Sequence, residues 1–211
     1  MKNALAHRLL FLFLVISFLI AQDDRRIIPA KKQTRMVSDK AMREIYEKVK
    51  TPFKYGIVLK GEKGKSIDCP GIFRMNDFWY MVYIVFDGDG YETALAKSDD
   101  LLGWQPLGTV MSKREGTWDA NQVAAYVALQ DYQWGGSYEL APFEQKYWFS
   151  YLGGALSGYE TDPLAVGSAW TETPEAALEW RRLETPVLTR DQKDVRYWEK
   201  LTQYKSNVIW D

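Results

Sequence analysis

Histidine is nearly missing. The one in the chain is His7, inside an N-terminal apolar segment. The remainder therefore has no basis for Ser-His-Asp or Cys-His catalysis, nor for the commonest zinc ligand sets. Cysteine is as scarce: Cys69 stands alone, so no internal disulfide forms and a thiol nucleophile lacks its imidazole. No excess of one charge exists either. The 27 Lys and Arg stand against 28 Asp and Glu, with no basic tract of the kind nucleic acid calls for. Long apolar runs are confined to residues 9–20, preceded by Lys2 and Arg8 and followed by Ala21 and polar residues. That run is too short to cross a bilayer comfortably and has the basic flank of a secretory signal. Residues 1–21 are thus predicted to be a signal peptide, and the mature chain secreted or periplasmic with no membrane contact. Chemistry must rest on carboxylates, Tyr, Lys and Arg.

Aromatic residues are abundant, with nine Trp and thirteen Tyr. Flat apolar faces with a polar handle suit both sugar stacking and β cores. Many of these residues belong to an internal repeat. Gly90-Tyr91-Glu92-Thr93 recurs as Gly158-Tyr159-Glu160-Thr161, each copy preceded by an aromatic strand-like run and followed by a small-residue strand and a single Trp, Trp104 or Trp180. Repetition of four short strands with Gly/Asp/Asn turns points to propeller blades. The expected fold class is all-β, a partial five-bladed propeller over residues 55–211. Blade one covers 55–110 with strands at 67–74, 79–86, 92–98 and 104–109. An insertion covers 111–137, blade two 138–190 with its first strand at 138–143, and the start of a third blade 195–211. Two blades and a strand cannot close a propeller, which predicts an N-terminal part of a longer protein whose remaining blades complete it.

Ahead of the β pattern, residues 22–54 read as a polar arm and one helix, with Ser38-Asp39 as its cap and Pro52 beyond its end. Within the insertion, residues 123–129 fit helix or strand. The flanking Trp118, Asp119, Asn121, Gln122 and Trp134 have the composition of a binding loop on a rigid β frame. Trp118 and Trp134 suit a sugar platform or a core equally. Asn121 and Gln122 are candidate substrate ligands.

The first strand of each propeller blade lines the central channel, so residues at its start converge. Asp68 holds that position in blade one, Glu139 in blade two, and Lys205 or Ser206 in blade three. Two carboxylates across a pocket are what glycoside cleavage needs. Lys205 would hold a substrate hydroxyl or a phosphate. Glu92 and Glu160, appearing once per blade, read as frame elements. These residues call for no cofactor, and nothing in them supports a structural Ca2+ in the channel.

The order Asp68-Cys69-Pro70, residues 79–83, residues 94–98, Asp100-Leu101, Trp104 and Gly108 resembles the first blade of five-bladed glycosidases. Glycoside hydrolase family 43 is the nearest, with families 32, 117 and 130 as relatives in fold. The resemblance implies a catalytic Asp in blade one, a pKa-tuning Asp in blade two and a Glu general acid in blade three. Asp68 matches the first role, with Cys69 intervening before the proline. Glu139 or Asp119 falls nearest the second, and Glu199 lies just ahead of the third blade. The implied activity is a glycoside hydrolase acting on a poly- or oligosaccharide, with Asp68 as base or nucleophile. The alternatives are a non-catalytic carbohydrate-binding propeller and a glycoside phosphorylase.

Overall fold

The structure, a computed structural model, describes residues 37–50 and 55–209. The predicted signal peptide at residues 1–21 lies outside the described residues. The chain divides into a unit of residues 1–54 and a β unit of residues 55–211. In the first, helix α1 spans Asp39–Val49. The Ser38 hydroxyl accepts a hydrogen bond from the Ala41 amide at 3.2 Å, and Asp39 in the first turn and Lys48 in the last complement the helix dipole. Among the described residues no helix is long and apolar enough to cross a membrane.

The β unit opens with an antiparallel meander: β1 (Ser66–Met75), β2 (Phe78–Phe86), β3 (Tyr91–Ser98) and β4 (Gln105–Met111). The turn residues expected from the sequence make it. Asn76 and Asp77 take positive φ (50° and 66°) between β1 and β2. Between β2 and β3 the Asp87 carboxylate accepts the amides of Asp89 and Gly90, both at 3.0 Å. Partial burial pushes that carboxyl up, but the Lys113 ammonium at 2.6 Å and the two amides prevail and hold it at about 2.

A second meander follows, of β5 (Gln122–Val127), β6 (Tyr147–Gly154), β7 (Ala165–Thr171) and β8 (Arg181–Arg182). Its first strand is β5, which pairs with β6 from Gln122↔Gly154 to Val127↔Phe149. The predicted strand at 138–143 makes only isolated bridges, Arg74↔Glu139, Gln130↔Leu140 and Phe143↔Lys146. The reason is burial. All of β5 except Tyr126 is buried, so its sequence is a continuous apolar run without alternation, and such runs do not declare their period.

The meanders join where Tyr91 meets Gln122 in parallel, and β5 lies against the first meander. Phe73, Val82 and Leu95 from one side interlock with Val123, Phe149, Tyr151 and Trp180 from the other. The Phe149 and Trp180 rings stack 3.8 Å apart, and Gly167 on β7 leaves room for the Tyr151 ring.

Gly90 sits at the junction. A Cβ there would collide with the Asn121 carbonyl oxygen, which accepts the Tyr91 amide at 2.9 Å. Overpacking of this kind costs roughly 1–3 kcal/mol, so Gly90→Ala lowers the denaturant midpoint accordingly. An unchanged midpoint would show that the two backbones can separate at no cost.

The repeat is not equivalent in its two copies. The first begins β3, whereas the second lies in the loop between β6 and β7, with Gly158 at φ 115° and Glu160 at φ 48°. The copies nevertheless meet. The Gly158 amide donates to the Asp89 carbonyl at 2.6 Å, and the Tyr91 and Tyr159 rings are 5.8 Å apart.

Candidate functional site

The polar groups collect near the start of β1. β1 carries a bulge between Asp68 and Gly71, with Cys69 at φ 50°. The bulge turns the exposed Asp68 carboxylate back to accept the Cys69 amide at 2.5 Å. On β5, Tyr126 reaches the same end. Its hydroxyl is buried beside the Cys69 thiol, with no well-formed hydrogen bond among the described residues.

The C-terminal segment 201–209 supplies a third wall. Its backbone is tied to the second meander by the Gln203 amide to the Leu164 carbonyl and the Leu129 amide to the Val208 carbonyl, both at 2.9 Å. The Ser150 hydroxyl donates to the Ser206 carbonyl at 2.7 Å. Held so, Lys205 places its ammonium 2.8 Å from the Cys69 sulfur and 5.3 Å from the ring centroids of Tyr126 and Tyr204. These are cation–π contacts.

Glu160 closes the group. The Tyr204 hydroxyl donates to its Oε1, and Tyr159 and Tyr91 stand beside it. The phenols of Tyr204, Tyr91 and Tyr126 are all raised above their ordinary range. For Tyr204 the causes are burial, then the bond to Glu160; for Tyr91 burial, then Tyr159 and Glu160; for Tyr126 burial, then Cys69. All three are therefore neutral phenols, and Tyr204 is the one that donates to a carboxylate, that of Glu160. Among the described residues no three His, Cys, Asp or Glu are grouped to hold a metal ion.

The predicted residues distribute unevenly about this cluster. Asp68 and Lys205 come together. Glu139 lies at the far end of β1, opposite Arg74 rather than Asp68, roughly 20 Å away at about 3.3 Å per residue. Its misplacement follows from counting the long β5–β6 connection as a strand. Asp119 is buried at 1% exposure, paired with Arg182 at 3.2 Å and accepting the Tyr151 hydroxyl at 2.9 Å. Burial pushes its carboxyl up, but hydrogen bonds from Thr117 and Tyr151 and the Arg182 charge outweigh it and hold the pKa below the usual range. Asp119 is thus occupied between the two meanders.

Gln122, wholly buried, donates to the carbonyls of Leu156 and Gly158, and Asn121 donates to the Ala155 carbonyl at 2.8 Å. Both grip the loop that carries Glu160, so their role is positioning. Trp118 is half-buried and stacks on Tyr151 at 5.5 Å. Trp134 is 95% exposed in the connection between β5 and β6. Glu199 accepts the amide of Arg196 and caps a single turn at Tyr197–Glu199.

Glu160, Tyr126 and Tyr204 are members of the cluster that the sequence does not nominate. For Glu160 a signal exists. The following Thr161-Asp162-Pro163 marks a turn, so the second copy of the repeat does not start a strand as the first does.

With this geometry in view, the chain is similar to glycoside hydrolases. A solved structure described as "Glycoside hydrolase" matches it at 46% identity over 83% of this chain, with a TM-score of 0.76. A second, a complex described by the names BT0996 and RGII, matches at 47% identity, again over 83% of this chain and with a TM-score of 0.76. The chain spans about half of each of these relatives, 53% of their length. No family model matches the chain, and no curated protein matches it.

Proposed function

We propose that the protein is a glycoside hydrolase in which Asp68 and Glu160 divide the acid and base work. One observation carries this: Asp68 on β1 and Glu160 in the β6–β7 loop each stand by a phenol, Tyr126 and Tyr204, and one ammonium, that of Lys205, lies 5.3 Å from both rings. That is the donor and acceptor inventory a sugar and its scissile oxygen require. The 46% identity to a glycoside hydrolase supports the same reading. Tyr204 donates to Oε1 of Glu160, which orients Oε2 as the oxygen that delivers a proton to the leaving group. Asp68, exposed and held by its own bulge, acts as base or nucleophile. Lys205 binds a substrate hydroxyl. In this reading the two meanders are blades of a five-bladed propeller-type frame, and residues 1–21 direct export to the periplasm or beyond.

The test is hydrolysis by the full-length protein across a panel of oligosaccharides and aryl glycosides, without phosphate. Wild type turns over at least one of them. Asp68→Asn loses about 100- to 10,000-fold in kcat while its thermal melt stays in place. Full activity in that variant removes Asp68 from the chemistry. Sugar binding without turnover by wild type makes the protein a carbohydrate-binding module, and turnover that requires phosphate makes it a phosphorylase.

A further inference from the structure

The one cysteine of the sequence meets a lysine from a distant segment. The Cys69 sulfur and the Lys205 nitrogen stand 2.8 Å apart, across 136 residues of chain. That is shorter than the roughly 2.9–3.0 Å usual between nitrogen and oxygen in a hydrogen bond, although sulfur is the larger atom and the weaker acceptor. We propose that the pair is a modification site: peroxide joins Cys69 Sγ to Lys205 Nζ through a single oxygen atom, and a thiol reductant reopens the bridge. Its effect on turnover rests on the glycosidase reading; the bond itself does not.

Both partners are held. Cys69 lies in the bulge of β1 and packs against the group that includes Ile84, Tyr91 and Leu152. Lys205 is flanked by Tyr204, whose hydroxyl donates to Glu160, and by Ser206, whose carbonyl accepts the Ser150 hydroxyl at 2.7 Å. The ordinary exits for an oxidised cysteine are closed. A sulfenic acid condenses with a second thiol or with a backbone nitrogen. The 211 residues hold no second thiol, the next residue is Pro70, which has no N–H, and the Cys69 amide is bound to the Asp68 carboxylate. The Lys205 amine is the nucleophile left beside the sulfur. A second observation points to the added oxygen. The Tyr126 hydroxyl is buried next to Cys69 without a well-formed partner among the described residues. An oxygen inserted between sulfur and nitrogen gives this donor an acceptor.

The atoms balance with hydrogen peroxide as the sole oxidant. The Cys69 sulfur attacks one peroxide oxygen, the O–O bond breaks, and a sulfenic acid and water result. A second peroxide displaces water from that sulfur and leaves a sulfur-bound hydroperoxide. The Lys205 nitrogen, in its unprotonated form, attacks the oxygen bonded to sulfur. The N–O bond forms, the O–O bond breaks, and the departing hydroxide leaves as water with a proton from the amine. Sulfur and nitrogen each lose two electrons, two peroxides are reduced, and three waters form. Two molecules of dithiothreitol return the four electrons, restoring thiol and amine with release of one water. The bridge occupies the nitrogen that binds a substrate hydroxyl and removes its charge, so the oxidised protein is the inactive form.

The test treats the full-length protein with hydrogen peroxide and maps its peptides by mass spectrometry without reductant. The peptide of Cys69 is recovered joined to that of Lys205, with one oxygen gained and two hydrogens lost, and dithiothreitol separates them. Cys69→Ser and Lys205→Gln give no joined pair. The melting temperature of the bridged form rises, because a loop of 136 residues has been closed, and it returns on reduction. Turnover of a cleaved saccharide falls about tenfold to a hundredfold on oxidation, the worth of a hydrogen bond to a charged group, and recovers with dithiothreitol; in Cys69→Ser it responds to neither reagent. Unjoined peptides, or a Cys69 that only gathers oxygens, overturn the proposal even where the protein hydrolyses saccharides. If it hydrolyses none, the glycosidase reading fails on its own, and the peptide map still decides the bridge.

Discussion

Replacing Arg182 with alanine destabilises the β unit by roughly 3–5 kcal/mol, the cost of leaving a buried charge unpaired. Arg182 on β8 pairs with Asp119 at 3.2 Å and with Glu179 at 2.6 Å, and donates to the Ser112 carbonyl just beyond β4. Glu179 in turn accepts the Ser112 hydroxyl at 2.9 Å. The guanidinium therefore ties the outer strand of one meander to the outer strand of the other, next to the hydrogen bond from the Trp180 amide to the Val110 carbonyl at 2.8 Å. Removing it strands Asp119 at 1% exposure with only hydroxyl partners. The dependence on pH discriminates this account from simple loss of packing. In wild type the folded Asp119 pKa lies below the unfolded value of about 3.9, so its contribution is present above that value and is lost as pH falls through the folded pKa. In Arg182→Ala burial dominates and the folded pKa rises above the unfolded one. Stability then improves as pH falls towards it, and the variant's deficit narrows in mild acid. Chemical denaturation from pH 7 down to about pH 4 measures this. A deficit independent of pH would mean that the guanidinium acts through shape alone.

The contrast between Asp119 and Asp68 shows how much of the site can be read from sequence. Both are candidate carboxylates near the start of a strand, β1 or β5, and the sequence holds no mark of the difference between them. Burial decides it: Asp119 lies before an extended strand and is covered by Trp118, Tyr151 and Arg182, whereas the bulge at Cys69 leaves Asp68 at the open end. The first meander is legible almost residue by residue because its turns are spelled by Asn76-Asp77 and by Asp87 to Gly90, each with a stated hydrogen-bonding or φ requirement. The second is not. β5 lacks alternation, and a long connection between β5 and β6 contains Tyr138-Glu139-Leu140, which mimics a strand. That one shift moves the expected carboxylate to Glu139, which lies beside Arg74 at the far end of β1 from Asp68. Lys205 is placed from the expected start of a third blade at 195–211, which forms no strand among the described residues, so the shift does not touch it.

The larger effect on activity is expected at Glu160, and the repeat itself supplies the control. Glu92 and Glu160 occupy the same place in the two Gly-Tyr-Glu-Thr copies, yet their surroundings divide them. Glu92 sits on β3 and accepts the Lys113 amide at 3.3 Å, whereas Glu160 leaves the strand register and takes the Tyr204 hydroxyl at the mouth of the cluster. Glu160→Gln in the full-length protein lowers kcat on oligosaccharides by about 100- to 10,000-fold, and Glu92→Gln leaves it within about twofold of wild type, as a partly exposed frame residue should. The leaving group then identifies the role. If Glu160 protonates the departing oxygen, the loss is small on aryl glycosides that leave without protonation and large on natural linkages. If it acts as base or nucleophile, the loss is similar on both. Tyr204→Phe, which removes only the donor to Oε1, costs about tenfold to a hundredfold and preserves the fold. Equal activity of Glu160→Gln and Glu92→Gln would return both residues to the frame and leave Asp68 without its partner.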